Sequence, residues 1–380
     1  MKILHVCLAS AYTEGMTYQE NFLSDQNVKD GHNVIIVSDC NKYENGSMVR
    51  TDAEDKILTN GIRLIRLEYD RIINTFISGK IRKVSALNSI IMQLSPDVIL
   101  FHGVAGWEML TVARYKRDNP KTKLYIDSHE DYNNSARNSI SRIIQYKWFN
   151  RLIVKKILPY VDKVLCVSYE SFLFLEELYH IPKNLLEFYP LGGVIIESST
   201  RRKKRELVRT ELGLKENDIV FMHSGKMSAE KRTKELLTAF KRVKNERFKL
   251  ILVGSLPNTV AEEVNPLIEA DERIRFLGWK NRGEIINYLC ASDMYLQPGS
   301  QSATMQNAIC CGCSVMLFPH KSHGPYLDNN GFYVKTVEDM VSVFQKIGEN
   351  PEKLKEMSKA SFKIAYELLD YRKLAARLYE

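Results

Sequence analysis

Two lysines follow the point where an apolar run gives way to a helical pattern. In the stretch FMHSGKMSAEKRTKELLTAF, the apolar run ends near Gly225, and Lys226 and Lys231 come before the helix. Two ammonium groups five positions apart around a turn can converge on a diphosphate, and the amides of a helix N-terminus add donors. The stretch therefore predicts an anion site. The alternative is a lysine-rich helix start whose charges face solvent.

A second strand end carries small and amide-bearing residues. In LQPGSQSATMQNAICCGC, the apolar run is followed by Gly299, Ser300, Gln301, Ser302 and Thr304 before the next helical pattern. Backbone amides, hydroxyl groups and little side-chain bulk allow a phosphate to approach closely. This stretch predicts the same class of ligand as the two lysines.

Three cysteines end the same stretch. Cys310, Cys311 and Cys313 bracket Gly312, which predicts a helix C-terminus at the end remote from the anion site. A zinc site would need a second pair of cysteines or histidines at suitable spacing, and the sequence has none. We interpret the three thiols as small core residues rather than a metal clip, and we predict no metal.

The elements that position these stretches alternate between strands and helices. KILHVCLA, NVIIVSD, DVILFHG and KLYIDS are apolar runs typical of buried strands, with helical segments between them. The rhythm breaks at YPLGGVIIESSTRRKKR, which has the composition of a linker, and restarts at DIVFMHSG. We predict an α/β fold with two Rossmann-like, doubly wound domains, residues 1–191 and 192–365, and a helix over 366–380 that packs back on the first. Ligands of such sheets bind at the carboxyl ends of the strands.

Size and composition agree with this organisation. A chain of 380 residues exceeds what one core supports, and 44% hydrophobic with 26% charged residues is typical of a folded globular protein. No stretch approaches the roughly 18 apolar residues of a membrane span, and the start MKILHVCLAS lacks a basic region before a long apolar one. We therefore expect a cytoplasmic protein. The net charge of +8 indicates anionic partners.

Several of these motifs occur together, in order, in one known family. The run Gly225-Lys226-x4-Lys231, LILVG, RIRFLGW and LQPG followed by NAICCGCSVML resemble the C-terminal donor domain of the family 4 retaining glycosyltransferases. In the other half, EGMTYQENFLSDQNVKDGHNV resembles that family's glycine loop and first helix, and LYIDSHED resembles its strand ending in histidine. The resemblance spans nearly the whole chain. It implies the GT-B fold, two Rossmann-like domains with the active site in the cleft between them.

The resemblance also implies roles for particular residues. Lys226 and Lys231 would bind the donor diphosphate as catalytic residues, and His129 would approach the sugar. For His129 the alternative is a strand-end histidine hydrogen-bonded by Asp127 or Asp131. The donor-binding residues implied by the matching motifs are Gly15, Gly225, Gly254, Trp279, Gly299, Ser300, Gln301, Ser302, Thr304 and Asn307.

The sequence departs from the family at one motif. The family has two glutamates spaced E-x7-E, whereas this chain has Asn307 at the second position and no carboxylate at the first. An amide both donates and accepts hydrogen bonds, so Asn307 can still bind ribose hydroxyls. The contact with the donor sugar would then come from Gln301, Ser302, Thr304 or backbone amides.

The implied function is sugar transfer from a nucleotide-diphosphate sugar to a glycan or lipid-diphosphate-linked acceptor in surface polysaccharide synthesis. The resemblance implies a retaining, metal-independent reaction with no cofactor. Two alternatives stay open: a non-catalytic nucleotide-sugar-binding partner subunit, suggested by the missing glutamates, and a GT-B sugar-nucleotide epimerase. Nucleic-acid binding is disfavoured because the basic runs lack interleaved aromatic residues, and an NAD enzyme because no GxGxxG follows the first strand.

A basic helix is predicted in the first domain. Lys147, Arg151 and Lys155 recur every four residues, with Trp148 and Phe149 beside them. Like charges at this spacing repel, which indicates an anionic neighbour. Such a helix can rest on an acidic membrane surface, which would make the protein peripheral on the inner face of the membrane. The alternative is an ordinary amphipathic helix with a solvated basic face.

Overall fold

The structure, a computed structural model, divides the chain into two compact units. Unit 1 comprises Met1–Pro190 and Tyr371–Glu380, and unit 2 comprises Leu191–Asp370. Each contains a parallel sheet whose strands are connected by helices, which confirms the predicted α/β class. The structure describes residues 1–16, 18–44, 47–104, 106–136, 138 and 142–380, with only the backbone of residue 75.

The passages between the units differ slightly from the prediction. The chain leaves unit 1 after Pro190, one residue before the predicted division, and returns to it at Tyr371 rather than at residue 366. Residues up to 370 stay with unit 2 because Asp370 forms a β-bridge with Gly193. The amide of Gly193 also donates to the carbonyl of Leu369 at 3.0 Å.

Apolar runs form the sheet of unit 1, whose strand order is β10-β9-β8-β7-β1-β2-β6-β5. Strand β5 pairs antiparallel with β6, and the other neighbours pair in parallel. Strands β3 and β4 form a separate antiparallel pair. The bounds are β1 Lys2–Cys7, β2 Asn33–Asp39, β3 Asn41–Glu44, β4 Ser47–Arg50, β5 Glu54–Ile57, β6 Arg63–Leu67, β7 Val98–His102, β8 Lys123–Ser128, β9 Lys163–Cys166 and β10 Leu186–Phe188.

The sheet of unit 2 has the order β13-β12-β11-β14-β15-β16, and all its neighbouring strands pair in parallel. Strand β11 is central, so the carboxyl ends of β12 and β14 lie on either side of its own. The bounds are β11 Ile219–Lys226, β12 Phe248–Ser255, β13 Ile274–Phe276, β14 Met294–Gln297, β15 Ser314–Leu317 and β16 Gly331–Tyr333.

Helices connect most of the strands, and several are interrupted by π-helical turns, which often occur at functional sites. None of the helices formed by the described residues is long and apolar enough to cross a membrane. The α-helices are α1 Gln19–Lys29, α2 Thr75–Ile81, α3 Ala86–Leu94, α4 Met109–Asp118, α5 Arg151–Ile157, α6 Tyr169–Phe174, α7 Ser198–Glu211, α8 Thr233–Arg242, α9 Asn258–Glu269, α10 Arg282–Ala291, α11 Thr304–Cys310, α12 Val337–Glu349, α13 Lys353–Ile364 and α14 Tyr371–Ala376. The π-helical segments are Arg142–Asn150, Leu175–Tyr179 and Ala365–Leu369.

Helices α1 and α14 cover part of the sheet of unit 1. Leu23 of α1 and Leu374 of α14 are buried in one apolar cluster with Tyr189 and with side chains of β1 and β7. The hydroxyl of Tyr189 donates to the carbonyl of Leu374. Full burial of a side chain such as Leu374 contributes about 1.5–3 kcal/mol. The last residues of the chain are therefore part of the core of unit 1.

The charge run predicted to lie in a linker instead forms helix α7, which packs on α10. Arg205 and Arg209 pair with Asp293 at 2.7 and 3.0 Å, and Lys204 donates to Asn287. Composition alone suggested an unstructured connection, but these long side chains find acidic and amide partners on the same unit. The linker prediction, which covered residues 189–205, was therefore wrong for residues 198–205.

All seven cysteines are buried and carry free thiols. Helix α11 ends at Cys310, and Gly312 follows with φ +72°, a conformation typical of the residue that ends a helix. A side chain at this glycine would meet the ring of Phe362 at 2.3 Å. Cys310, Cys311 and Cys313 thus lie in the core of unit 2, at the end of α11 remote from Thr304.

Candidate functional site

The two stretches predicted to bind an anion lie at neighbouring strand ends in unit 2. Gly225 and Lys226 end β11, and β14 runs parallel to β11 and leads directly into the loop that starts at Pro298. The amide of Ser300 donates to the carbonyl of Glu230 at 2.8 Å, so this loop contacts the turn after β11. The structure therefore brings both stretches together, as the parallel-sheet rule predicts.

Glycines allow the strand-end loops to touch through their backbones. A Cβ atom on Gly254 would lie 2.0 Å from the carbonyl oxygen of Gly225, and one on Gly299 would lie 2.1 Å from that of Glu230. Gly225 and Gly254 also have φ values of +123° and +138°, which residues with a side chain rarely adopt. These glycines are required to build the loops, whatever else they bind.

Lys231 lies at the centre of this arrangement. Its side chain is 8% exposed, and its ammonium donates to the carbonyls of Ser300 at 3.1 Å and Gln301 at 3.0 Å. Among the described residues no carboxylate lies within 4 Å of this ammonium. Burial lowers the pKa of Lys231 to about 8. A desolvated ammonium with one N–H left over and no counter-charge favours an anionic ligand.

The lowered pKa of Lys231 predicts how binding of a nucleotide diphosphate depends on pH. Because only the protonated amine attracts the anion, affinity should be near its maximum at pH 7, fall to about half by pH 8, and fall by up to about tenfold per pH unit above that. Isothermal titration calorimetry between pH 7 and 9.5 would measure it. In the variant Lys231→Met, this fall in affinity with rising pH should be absent. If the variant shows the same pH dependence as the parent, another group is responsible for the titration.

Lys226 and Trp279 are placed at the same edge but are exposed. Lys226 ends β11 opposite Ser255 of β12. The loop after β13 joins this edge because the amide of Gly254 donates to the carbonyl of Gly278 at 2.8 Å. Trp279 follows with 74% of its surface exposed. The structure thus brings an indole face and a flexible ammonium to the border of the glycine-lined loops, where both are free to contact a ligand.

The hydroxyls after β14 prepare the start of α11. Ser302 accepts a hydrogen bond from the amide of Thr304 at 3.3 Å, and the two hydroxyls lie 3.3 Å apart. Helix α11 has only seven residues, so its dipole is weaker than that of a long helix. We infer that loop amides and Lys231, rather than the helix, provide most of the positive potential here.

The amide group of Asn307 is only partly engaged. Its Nδ2 donates weakly to the carbonyl of Ala303 at 3.5 Å, while its buried Oδ1 has no hydrogen-bond partner within the described ranges. The buried Oε1 of the neighbouring Gln306 likewise has no hydrogen-bond partner among the described residues. A buried acceptor without a donor is costly, so a ligand hydroxyl would stabilise it. The sequence analysis singled out Asn307 but missed Gln306.

A substitution at Asn307 tests whether it binds the donor ribose. If its Oδ1 accepts one ribose hydroxyl, Asn307→Ala should weaken binding of a nucleoside diphosphate about fivefold, as expected for loss of a single hydrogen bond. Asn307→Asp retains an acceptor and should bind at least as well as the alanine variant. Affinities come from calorimetry. Equal affinity of the parent and Asn307→Ala would remove the ribose assignment.

Three further residues of unit 2 position the loops and were not assigned in the sequence analysis. Buried His223 contacts the carbonyl of Leu296 and the hydroxyl of Thr233, and burial lowers its pKa to about 4, so it is neutral. The hydroxyl of Tyr295 lies 3.1 Å from that of Ser224. Arg232 joins two other segments. Its guanidinium donates to the carbonyls of Pro298 and Lys335.

Unit 1 contains a buried chain of polar side chains at the strand ends β7 and β8. His102 and Asp127 face each other in register, and Nδ1 of His102 lies 2.6 Å from Asp127. Nε2 of His102 lies 3.0 Å from Nδ1 of His5, whose Nε2 lies 2.9 Å from Oδ1 of Asn27. The other oxygen of Asp127 accepts from the amide of Gly103. The chain ties two strand-end loops to β1 and α1.

The orientation of the Asn27 amide and the pKa shifts together assign the charges of these buried side chains. With the Asn27 oxygen facing His5, His5 donates from Nε2 and accepts at Nδ1, and His102 then donates from both ring nitrogens. Burial opposes charge on each group, but Asp127 leaves the pKa of His102 above its ordinary value, and His102 keeps that of Asp127 below. Burial and the His102 charge lower the pKa of His5 to about 3. The result is a buried His102 imidazolium–Asp127 carboxylate pair.

His129 is exposed and has no hydrogen bond to this pair among the described residues, although its charge helps to lower the pKa of Asp127. Neither of the carboxylates that the sequence offered as partners binds its ring, since Asp127 binds His102 and Asp131 accepts from the amides of Asn133 and Asn134. The described residues provide no side-chain hydrogen bond to His129. The alternative of a strand-end histidine held by Asp127 or Asp131 is therefore wrong, and the ring stays available for a ligand.

Glu130 follows His129 and was missed by the sequence analysis. The hydroxyl of Tyr179 donates to its carboxylate at 3.4 Å, and burial raises its pKa to about 7. A carboxyl group that titrates near neutral pH can accept or donate a proton under working conditions. The signal in the sequence was its position after the β8 strand end, which alone did not indicate burial.

Gly15 lies in the loop after β1, with φ +71°. It lines a groove of about 410 Å³, together with Glu14, Asn21, Asp25 and Lys56. Lys56 pairs with Glu14 at 2.8 Å, and the Oδ1 atom of buried Asn21 lacks a donor among the described residues. The predicted glycine loop thus borders a polar groove of unit 1.

The chain was compared with known families and structures. Residues 204–364 match the family model of glycosyl transferases group 1. No curated protein matches the chain. The matched range begins within α7 and ends with α13, so it covers the loops around Lys231 and most of unit 2.

Solved structures with the same fold cover the chain almost completely. HepE of Anabaena, in complex with UDP, has a TM-score of 0.69 at 15% identity over 99% of this chain and 98% of its own. A glycosyltransferase of Rickettsia africae has a TM-score of 0.69 at 16% identity, over 99% of this chain and 96% of its own. Sucrose-phosphate synthase of Thermosynechococcus elongatus has a TM-score of 0.66 at 15% identity, over 99% of this chain and 96% of its own. The chain therefore has the GT-B fold, and the part of its second unit that matches the glycosyl transferases group 1 model contains the loops around Lys231.

Proposed function

We propose that the protein is a glycosyltransferase that moves a sugar from a nucleotide-diphosphate sugar to a hydroxyl of a glycan or lipid-linked glycan. The observation that carries this proposal is the buried ammonium of Lys231, which lies among glycine-lined strand-end loops without a carboxylate partner in the described residues. The group 1 family match over the same residues supports sugar transfer. HepE, which shares the fold, is described in complex with UDP and with UDP-glucose.

The chemistry follows from charge that develops on the leaving group. As the bond between the anomeric carbon and the diphosphate breaks, negative charge accumulates on the phosphate oxygens, and Lys231 and Lys226 stabilise it. No metal is needed for that stabilisation in our proposal, since two ammonium groups supply positive charge. We further propose that the reaction retains the anomeric configuration, with the leaving diphosphate accepting the proton of the acceptor hydroxyl.

His129 and Glu130 are proposed to act on the acceptor side in unit 1. His129 has an exposed, unengaged imidazole among the described residues, and Glu130 titrates near neutral pH. Both can hydrogen-bond a sugar hydroxyl. We assign to His129 the contact with the transferred sugar, as the family resemblance implies, and to Gly15 the loop that lets the donor approach the unit.

The first experiment is thermal melting with UDP, GDP, ADP and CMP and their common sugar conjugates. A ligand that binds the folded state raises the melting temperature, so one nucleotide should stand out. Its sugar conjugate should then be hydrolysed slowly, with release of nucleotide, in the presence and absence of EDTA. NMR of the released or transferred sugar would show whether the anomeric configuration is retained. A nucleotide series without any shift would contradict the proposal.

One observation favours a second candidate, a non-catalytic nucleotide-sugar-binding subunit. The glutamate that faces the donor sugar in the family has no counterpart in this sequence, and Asn307 stands at the second position. Such a subunit would show the melting shift but neither hydrolysis nor transfer. A GT-B epimerase would instead interconvert two sugar nucleotides without an acceptor. The nucleotide-release assay separates all three.

A further inference from the structure

Two segments of unit 1 expose apolar and basic side chains together and no acidic ones. The first segment, residues 142–157, contains the π-helical turns Arg142–Asn150 and helix α5. The second, residues 71–83, contains helix α2. Neither sequence includes an aspartate or glutamate. Surfaces of single-sign charge that also expose large apolar groups are uncommon in globular proteins and mark interaction sites.

In residues 142–157, solvent exposure of the side chains repeats every four residues. Exposed residues occur in consecutive pairs, separated by buried or half-buried ones, and each of these side chains is apolar or cationic. Trp148, at the middle of the face, is 66% exposed. The exposed pairs are Ile143 and Ile144, Lys147 and Trp148, Arg151 and Leu152, and Lys155 and Lys156. The apolar groups concentrate toward the N-terminal part, and the ammonium groups toward the C-terminal part.

Helix α2 extends this face. Ile73 and Phe76 are strongly exposed, the latter 72%, and the ammonium of Lys80 lies 5.8 Å from the Phe76 ring. Trp107 connects the two segments, since its amide donates to the carbonyl of Ile81 at 3.0 Å and its ring stacks on that of Phe149 at 6.4 Å. The sequence analysis identified only the basic helix; the structure adds α2 and Trp107 to the same surface.

Most cations of this surface lack a counter-charge among the described residues. No carboxylate of the described residues lies within 4 Å of Lys147, Arg151, Lys155 or Lys80, whereas Lys83, at the end of the second segment, pairs with Asp70 at 3.8 Å. Unpaired charges on this scale repel each other and disfavour the folded unit unless an anionic partner compensates. Exposed tryptophan, phenylalanine and isoleucine between the cations would remain hydrated beside a purely ionic partner. The partner must therefore offer both anions and an apolar interior.

We propose that residues 71–83 and 142–157, with Trp107, form a docking surface for a lipid bilayer with anionic headgroups. Lysine and arginine side chains would contact the headgroups, while Phe76, Trp148 and the isoleucines enter the boundary with the acyl chains. The proposal stands on unit 1 alone. Only its consequence, that the acceptor sugar is carried by a membrane lipid, rests on the proposed function.

Vesicle flotation of the full chain tests the surface. The protein should float with phosphatidylcholine vesicles that contain phosphatidylglycerol, and not with phosphatidylcholine alone, and added salt should weaken binding. Lys147→Glu with Arg151→Glu, and separately Ile73→Ser with Phe76→Ser, should each reduce the bound fraction at least about tenfold.

A matched control carries the same change of net charge elsewhere. Arg202→Glu with Lys203→Glu reverses two exposed cations on α7 of unit 2 that form no ion pair with any described residue, and should leave flotation unchanged. Trp148 gives an independent readout, because its fluorescence should shift to the blue with anionic vesicles, and Trp148→Phe should remove most of that shift. The melting temperature of each variant is first compared with that of the parent. If Lys147→Glu with Arg151→Glu does not fold, the neutral double variant Lys147→Gln with Arg151→Gln is used in its place.

Several results would overturn the proposal. They are equal binding to neutral and anionic vesicles, loss of binding in the α7 control, competition by single-stranded RNA at the same affinity, or a dimer in sedimentation that the Ile73 and Phe76 substitutions dissociate. The nucleotide-induced melting shift is measured on the same samples. A shift without flotation would reject the docking surface alone, and flotation without a shift would reject the donor site alone.

Discussion

Lys231→Ala should lower the rate of sugar transfer at least about a hundredfold, equivalent to a loss of about 2.7 kcal/mol of transition-state stabilisation. The ammonium lies buried against the carbonyls of Ser300 and Gln301, so no water-exposed cation can take its place. Turnover is measured as nucleotide release at saturating donor and acceptor. Because the proposed effect concerns developing charge, turnover should fall more than donor affinity.

Two comparison variants separate charge from packing at this position. Lys231→Met keeps most of the buried stem and should be as impaired as alanine. Lys234→Ala removes a neighbouring exposed lysine, paired with Glu263 at 3.0 Å, and should stay near parent activity. If Lys231→Met were nearly as active as the parent, the lysine would have a role only in positioning the loop after β14, and the diphosphate assignment would be rejected.

Asp127→Ala should destabilise unit 1 by about 3–5 kcal/mol, because it leaves the His102 imidazolium buried without its counter-charge. It also removes the acceptor of the Gly103 amide. In calorimetry the transition of unit 1 should move down by about 10 °C. Asp118→Ala, which removes an exposed carboxylate paired with Arg117, is the control and should shift it by less than about 2 °C.

The same pair predicts the pH dependence of stability. His102 has a raised pKa, so its contribution is present below about pH 6.5 and is lost as pH rises through its folded-state value. Asp127 has a lowered pKa, so its contribution is present above about pH 4 and is lost as pH falls through its folded-state value. In Asp127→Ala, the free energy of unfolding should depend less on pH on both the acidic and the basic side. A parent-like profile in the variant would show that the pair does not control it.

The sequence allowed prediction of the elements and of the loops that meet in unit 2. Strand β11 ends at Lys226 and the loop after β14 begins with Pro298, and parallel strands necessarily bring their carboxyl ends to one edge. The adjacency of Lys231 and Ser300 follows from that rule and from the glycines between them. The donor-binding roles of these residues stay predictions until the substitutions are made.

Partners from distant parts of the sequence were not predictable. The sequence offered Asp127 as one possible partner of His129, but Asp127 lies in register with His102 of the neighbouring strand β7 and is bound to it. The basic run in α7 looked like a linker because its acidic partner, Asp293, is remote in sequence. In each case tertiary contact, rather than local composition, decided the structure.

The return of the last helix to unit 1 has a consequence for how the chain folds during synthesis. Leu374 and Leu378 are buried with β1 and β7, although about 180 residues of unit 2 separate them from Pro190. A nascent chain on the ribosome therefore exposes the apolar surface under α14 until residues 371–380 have been synthesised and have left the ribosome. Unit 2 is continuous in sequence and has no such dependence, so it is the unit able to fold as soon as it emerges.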